Sequence, residues 1–221
     1  MNKTATTNPL YSADYETIRA EGRRAARAGD LRALAVAQDA LAHYHWYRGD
    51  LDSARNVLKP ALDMLPVELI DERLMLANTL ISIEYLSGKY RRVCDLSPRA
   101  IEDAATVGND YLRAQAHSNY AHALAELGEI DPAFDNYTSA HVCFEGHPLQ
   151  QARTDANIAN LLVKANEAAR AFFYLDRAES ILRDESNESD LGQLLETRAR
   201  AFAAGKDYDA AMTAIDESLE L

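Results

Sequence analysis

Four glycines and one asparagine divide most of this 221-residue chain into segments of nearly equal length. Gly49, Gly88, Gly128, Asn166 and Gly205 are spaced 39, 40, 38 and 39 residues apart. Each ends an apolar, alanine-rich run and precedes a short polar turn and a new amphipathic run, as in YHWYRGDLDSARNVLKPAL, IEYLSGKYRRVCDLSPRAI and ALAELGEIDPAFDNYTSAH. Asparagine tolerates the left-handed turn that ends a helix better than other non-glycine residues do. Asn166, inside LLVKANEAARAFF, therefore marks a helix boundary rather than a polar defect in one long helix. Self-similarity at such a period restricts the fold to a stack of supersecondary units that each bury one face against the next.

Counted from the turn residues, fixed columns carry fixed residue types. Five residues after the turn stand Ala54, Val93, Ala133 and Ala171, and twelve after it Ala61, Ala100, Ala140 and Ala178. Nine after it stand Leu58, Ser97, Tyr137 and Leu175; seven before it stand Ala42, Ile81, Ala121 and Ala159. Small residues in register allow close helix approach, and the large ones fill the space between. The last unit joins the pattern if one residue is inserted after Gly205, giving Ala199, Ala211, Ile215 and Ser218.

Capping signals predict eleven helices, at 12–28, 31–47, 51–65, 69–87, 90–107, 111–127, 132–145, 149–165, 168–184, 190–204 and 208–220. Asp110 and Asp131 are placed as N-caps, Pro132 and Pro148 at first helical positions, and Gly108 and Gly146 at C-terminal caps. Gly29-Asp30-Leu31 repeats the Gly49-Asp50-Leu51 turn only 20 residues earlier. Residues 11–30 therefore read as an N-terminal capping helix, residues 1–10 as disordered, and 31–221 as the repeat array. Pro60 and Pro98 fall inside second helices and remove a backbone donor from each, so both helices are expected to kink.

The composition supports helix, with abundant alanine, 9 glycines and 6 prolines. A formal net charge of −12 disfavours generic binding to nucleic acid or to anionic membrane. Cys94 and Cys143 lie in apolar helical patterns and read as reduced core thiols. The N-terminus has no apolar secretory segment, which points to the cytoplasm.

The period and columns resemble the tetratricopeptide repeat (TPR). Leu41-Ala42, Gly49-Asp50-Leu51, Ala54, Leu58, Ala61 and Pro66 carry the resemblance in the clearest unit, with Ala121, Gly128, Ala133, Tyr137 and Ala140 in the third. The second unit departs at Val93 and Ser97, and the period exceeds the usual 34 residues. The resemblance covers roughly residues 31–221 and implies an all-α fold, a right-handed α-solenoid of antiparallel helix pairs. It is similar to long-period arrays in bacterial regulatory proteins.

No catalytic set is evident. His43 and His45 diverge on a helix, and there is no H-E-x-x-H, C-x-x-C, glycine-rich phosphate loop or G-x-S-x-G. The chain is expected to be non-enzymatic, without cofactor or metal. In TPR-like arrays the first helix of each pair lines a concave groove. By resemblance, the groove columns lie ten, six and three residues before the turn. They give Asp39, His43 and Trp46, then Asn78, Ser82 and Tyr85. Ser118 and His122 follow with Ala125, then Asn160 with Ala156 and Val163. With the one-residue shift the last unit adds Glu196 and Arg200 with Ala203. Arg153 and Lys164 adjoin these columns.

Asn78 and Asn160 can each donate to and accept from a peptide backbone. Trp46 and Tyr85 offer stacking area and a polar edge, and Arg153, Lys164 and Arg200 suit a ligand carboxylate or phosphate. The two-carboxylate clamp of chaperone-binding TPR domains is not supported, because Asp39 and His43 stand at its places. Arg19, Arg23, Arg24 and Arg27 make a basic stripe on the first helix that reads as a solvated face.

The leading expectation is a protein- or peptide-interaction module that uses the concave groove, with a partner offering an acidic or C-terminal carboxylate group. The alternative is a sensory or dimerising input domain of a larger bacterial signalling protein, with a nucleotide cyclase or transcription regulator as output. The ending AIDESLEL, in a helix without a polar cap, fits that alternative and a homodimer through the C-terminal helix.

Overall fold

Helix termination in this chain follows the sign of φ. The computed structural model describes residues 9–221. It contains a short 3-10 turn at Pro9–Ser12, then α1 Tyr15–Ala28, α2 Leu31–Tyr47, α3 Leu51–Met64, α4 Ile70–Leu86 and α5 Tyr90–Thr106. These are followed by α6 Asp110–Glu126, α7 Ile130–Cys143, α8 Pro148–Lys164, α9 Ala168–Asp184, α10 Glu188–Ala204 and α11 Tyr208–Leu219. Nine of the ten turns between helices contain a residue at positive φ, among them Gly49 at 79°, Asn166 at 63° and Lys206 at 65°. The turn between α3 and α4 instead runs through extended Leu65 and then Pro66.

The expected turn at Gly205 is off by one residue. Gly205 has φ −78° and is still helical, and Lys206 takes the left-handed position. The closing hydrogen bonds agree. Asp50 N donates to His45 O (3.0 Å), Glu167 N to Leu162 O (2.8 Å) and Asp207 N to Phe202 O (3.0 Å), each five residues back. With Lys206 as the turn residue the last repeat falls into register and needs no insertion. Ser186, at φ 51°, ends α9 in the same way with no glycine to signal it.

Helix starts also correct the sequence reading in detail. Asn109, not Asp110, caps α6, accepting from Leu112 N at 3.0 Å. Glu129 occupies the cap position of α7, so Asp131 and Pro132 lie within its first turn. Pro148 is the first residue of α8 as expected. Asp14, Asp30, Asp50, Asn187 and Asp207 cap their helices through side-chain oxygens. Pro9 and Leu10 belong to the 3-10 turn rather than to a disordered tail, and α1 begins at Tyr15 rather than residue 12. Residues 1–8 of the expected tail lie outside the described residues. Pro60 and Pro98 sit inside α3 and α5, which continue past them.

The chain forms two compact units, residues 1–112 and 113–221. In the first, α1 packs on α2, α2 on α3 and α4, and α4 on α3 and α5. In the second, α7 packs on α8, α8 on α9 and α10, and α10 on α9 and α11. A first helix therefore touches both its hairpin partner and the next first helix. The columns found in the sequence form the cores. Ala42, Ala54 and Leu58 cluster in the first unit, where Ile81 is also fully buried, and Ala159, Ala171, Leu175 and Ala178 are fully buried in the second. Burying a leucine or isoleucine contributes about 1.5–3 kcal/mol and a helix cap about 1 kcal/mol, so packing dominates. Cys143 is buried, but Cys94 is only half-buried rather than a core thiol.

Candidate functional site

The expected groove columns divide between the two units, which treat them differently. In the second unit, α6, α8 and α10 bring His122, Arg153, Ala156, Asn160, Glu196 and Arg200 to one cavity of about 380 Å³. All six come from the groove reading. The cavity also takes Asn157, Gln193, Thr197 and Asp190, which that reading missed. Asn157 and Thr197 lie nine residues before Asn166 and Lys206, and Arg153 and Gln193 lie thirteen before them. These two columns lie outside the ten, six and three of the groove reading, which named Arg153 only as an adjoining residue.

The amides of Asn157, Asn160 and Gln193 give this cavity paired donors and acceptors. The Asn160 Oδ1 is buried and has no hydrogen-bond partner among the described residues, an unmet acceptor of the kind that usually finds one. The three expected positive charges are not equally available. Arg153 Nε donates to Asp190 Oδ2 at 2.6 Å, and Lys164 lies 3.5 Å from Glu126. Arg200 donates to Thr197 Oγ1 at 2.9 Å and to the Glu196 carbonyl at 3.4 Å, with no carboxylate on it among the described residues. His122 is joined to the Tyr137 hydroxyl at 2.6 Å. Burial drives its pKa down to about 4, against the raising effect of Glu126, so the ring is neutral at pH 7.

In the first unit the same columns are covered. Asp39 is only 2% exposed. Tyr11 donates its hydroxyl to Asp39 Oδ2 at 2.7 Å, lies 3.5 Å from Met75 Sδ and packs edge-on against His43 with centroids 5.3 Å apart. His43 Nδ1 sits 2.9 Å from the Asp39 carbonyl and 3.4 Å from its Oδ2. Burial lowers the His43 pKa, but hydrogen bonding to Asp39 and its charge outweigh this, and the net shift is upward. Burial, then the charge of Asp39, raises the Tyr11 pKa. Asp39 and His43 are thus not open groove residues, and nothing in the repeat pattern points from them to residue 11.

Trp46 stacks on Tyr47, lies tilted against His43 and packs against the core of the first unit. Asn78 is buried, and neither polar atom of its amide has a hydrogen-bond partner among the described residues. Ser82 donates back to the Asn78 carbonyl at 3.1 Å, and Tyr85 packs against Tyr90. Ser118 is half-buried on α6. The basic stripe of α1 is exposed, and Arg19 lies over the Tyr15 ring.

No family model matches the chain, and no curated protein matches it in sequence. Solved structures match in fold. BtubC (BKLC) from P. vanneervenii superposes with a TM-score of 0.81 at 18% identity, covering 93% of this chain and 88% of that one. A putative kinesin light chain with nearly identical TPR-like repeats from Podosopora anserina gives 0.68 at 15% identity, covering 83% and 92%. A Rap protein complexed with Competence and Sporulation Factor gives 0.58 at 15% identity, covering 90% and 72%. The fold is therefore an all-α, TPR-like solenoid. Among the described residues, no helix is long and apolar enough to cross a membrane.

Proposed function

We propose that the protein is an interaction module that binds an extended peptide segment of a partner protein, and that the cavity of the second unit is its main contact. The observation that carries this reading is the convergence of α6, α8 and α10 on one cavity rich in side-chain amides, with the Asn160 acceptor unmet. An extended backbone presents alternating N–H and C=O groups, which the amides of Asn157, Asn160 and Gln193 complement. Arg200 suits a carboxylate of the ligand, either acidic or C-terminal, because no carboxylate among the described residues pairs with it. Arg153 serves less directly, since Asp190 already holds it. The Rap protein matched in fold was solved with Competence and Sporulation Factor bound, which agrees with this use of the fold.

The test is a displayed peptide library selected on the wild-type protein. Peptides so enriched are expected to lose at least tenfold in affinity for Asn160→Ala and for Arg200→Glu, with thermal melts unchanged. Enriched peptides that bind both variants like wild type overturn the assignment of this cavity.

A second reading, self-association through α11, is favoured by one observation. Tyr208, Met212 and Leu219 on that helix are 64%, 61% and 79% exposed. Light scattering at two concentrations decides it, since a single 24.5 kDa species at both removes the dimer.

A further inference from the structure

Tyr11 stands on the groove columns. Its contacts Asp39, His43 and Met75 lie ten, six and thirteen residues before their repeat turns, Gly49 and Gly88. Glu196, Arg200 and Gln193 hold those same three columns relative to Lys206, and all three line the open cavity of the second unit. One set of positions is thus open in one unit and filled by the chain's own aromatic side chain in the other.

The filled position has the features of a built acceptor site. A carboxylate buried to 2% exposure needs donors, and the Tyr11 hydroxyl supplies one to Asp39 Oδ2. The other oxygen, Asp39 Oδ1, has no hydrogen-bond partner among the described residues. His43 presents its ring to the Tyr11 ring, and the Met75 sulfur lies against the hydroxyl. The segment that delivers Tyr11 is slight. It is a four-residue 3-10 turn closed by Ser12 Oγ to the Pro9 carbonyl (3.0 Å) and Ala13 N to the Leu10 carbonyl (3.2 Å). None of its residues is fully buried. A short, shallow strap over a deep polar contact is a segment that another chain can replace at low cost.

We propose that the groove of the first unit carries a subsite for a tyrosine side chain, held in cis by Tyr11, and that a tyrosine-bearing segment of a partner protein enters by displacing the strap. Asp39 selects the phenol over a phenyl ring, because only the hydroxyl satisfies its buried carboxylate. His43 and Met75 supply the walls. The inference rests on the groove columns being the binding face, but not on the cavity around Asn160 and Arg200.

The test uses a fluorescein-labelled peptide with the sequence of residues 9–14, PLYSAD, and a second peptide with phenylalanine for its tyrosine. Fluorescence anisotropy is expected to show at least tenfold tighter binding of the first peptide to full-length Tyr11→Ala than to wild type. The phenylalanine peptide should bind Tyr11→Ala at least fivefold more weakly, and adding Asp39→Asn should remove the gain. If Tyr11→Ala does not fold, Tyr11→Phe keeps the ring and loosens the strap, and an intermediate gain of about threefold is expected. Equal binding to wild type and to the folded variants, or no binding to either, overturns the proposal and leaves Tyr11 a structural anchor. Arg200→Glu is expected to leave binding of this peptide unchanged. Failure here, with library peptides still sensitive to Asn160→Ala, removes the strap proposal alone.

Discussion

The two units are built from one repeat yet differ in charge and in how they satisfy buried acids. Residues 1–112 carry 14 Lys and Arg against 16 Asp and Glu, whereas residues 113–221 carry 9 against 19. In the first unit, buried Asp39 is met by a neutral phenol and by His43. In the second, fully buried Asp155 is held by two hydrogen bonds from Arg177, with His141 Nδ1 at 3.1 Å. The same helical frame thus tolerates a buried carboxylate by two routes. One meets the acid with a phenol and an imidazole; the other joins α8 to α9 with a charge pair.

The largest break between the units is expected at Arg177. Arg177→Met leaves the Asp155 charge buried, and removing one partner of a buried pair costs about 3–5 kcal/mol. Urea denaturation should show this loss, and Arg177→Met with Asp155→Leu should recover most of it. If the double variant is as unstable as the single one, the pair is not what links the helices. In the first unit, Arg55→Met should cost less. Its partner Glu84 is buried too, but keeps the Lys89 ammonium at 3.9 Å, whereas Asp155 keeps the His141 imidazole at 3.1 Å and no lysine or arginine among the described residues.

The next contrast is in pH. The folded pKa of His122, about 4, lies below its unfolded value of about 6.5, so the unfolded chain binds the extra proton first. Its contribution is present above pH 6.5 and is lost as pH falls towards 4, amounting to about 3 kcal/mol. His43 has the opposite sign. Its folded pKa is raised, so its contribution is present below pH 6.5 and is lost as pH rises through the folded value. Denaturation curves from pH 4 to 8 should flatten on the acid side for His122→Gln and on the neutral side for His43→Gln. Identical profiles for the two variants would mean that the histidines are not set apart by their surroundings.

The array was legible because small residues and turns recur by column, and packing demands those types wherever helices approach closely. Ala54, Ala133 and Ala171 are buried without exposure, as their column requires. The cavity around Asn160 was half legible. His122, Asn160, Glu196 and Arg200 were visible by column and Arg153 beside one, while Asn157, Gln193 and Thr197 stand nine or thirteen residues before their turns, on columns the resemblance does not assign to the groove. The closed state of Asp39 and His43 was not legible at all. Tyr11 lies 28 residues from Asp39 and outside the repeat, so no periodicity points from one to the other. Neutralisation of Arg153 and Lys164 was hidden for a related reason. Asp190 and Glu126 are supplied by neighbouring first helices, and pairing between repeats depends on side-chain reach rather than on column.

The smallest expected effects test the phase itself. A residue at positive φ gains from glycine, because a side chain is crowded there, while a glycine at negative φ only adds entropy to the unfolded chain. Gly205 lies at φ −78°, and a Cβ built on it meets Phe202 O at 3.4 Å, an ordinary contact. Gly205→Ala should therefore stabilise the protein by about 0.5 kcal/mol, and Lys206→Gly by about the same amount. Gly128 lies at φ 80°, so Gly128→Ala should destabilise it by about 1 kcal/mol although nothing lies within 4 Å of the added Cβ. Asn166, at φ 63°, is intermediate: Asn166→Gly should be neutral or slightly stabilising, whereas Asn166→Val should cost about 1–2 kcal/mol. Thermal melts of these variants rank the turn residues directly. A destabilising Gly205→Ala beside a neutral Gly128→Ala would put the last turn back at Gly205, and Gln193 and Thr197 would leave the columns shared with Arg153 and Asn157.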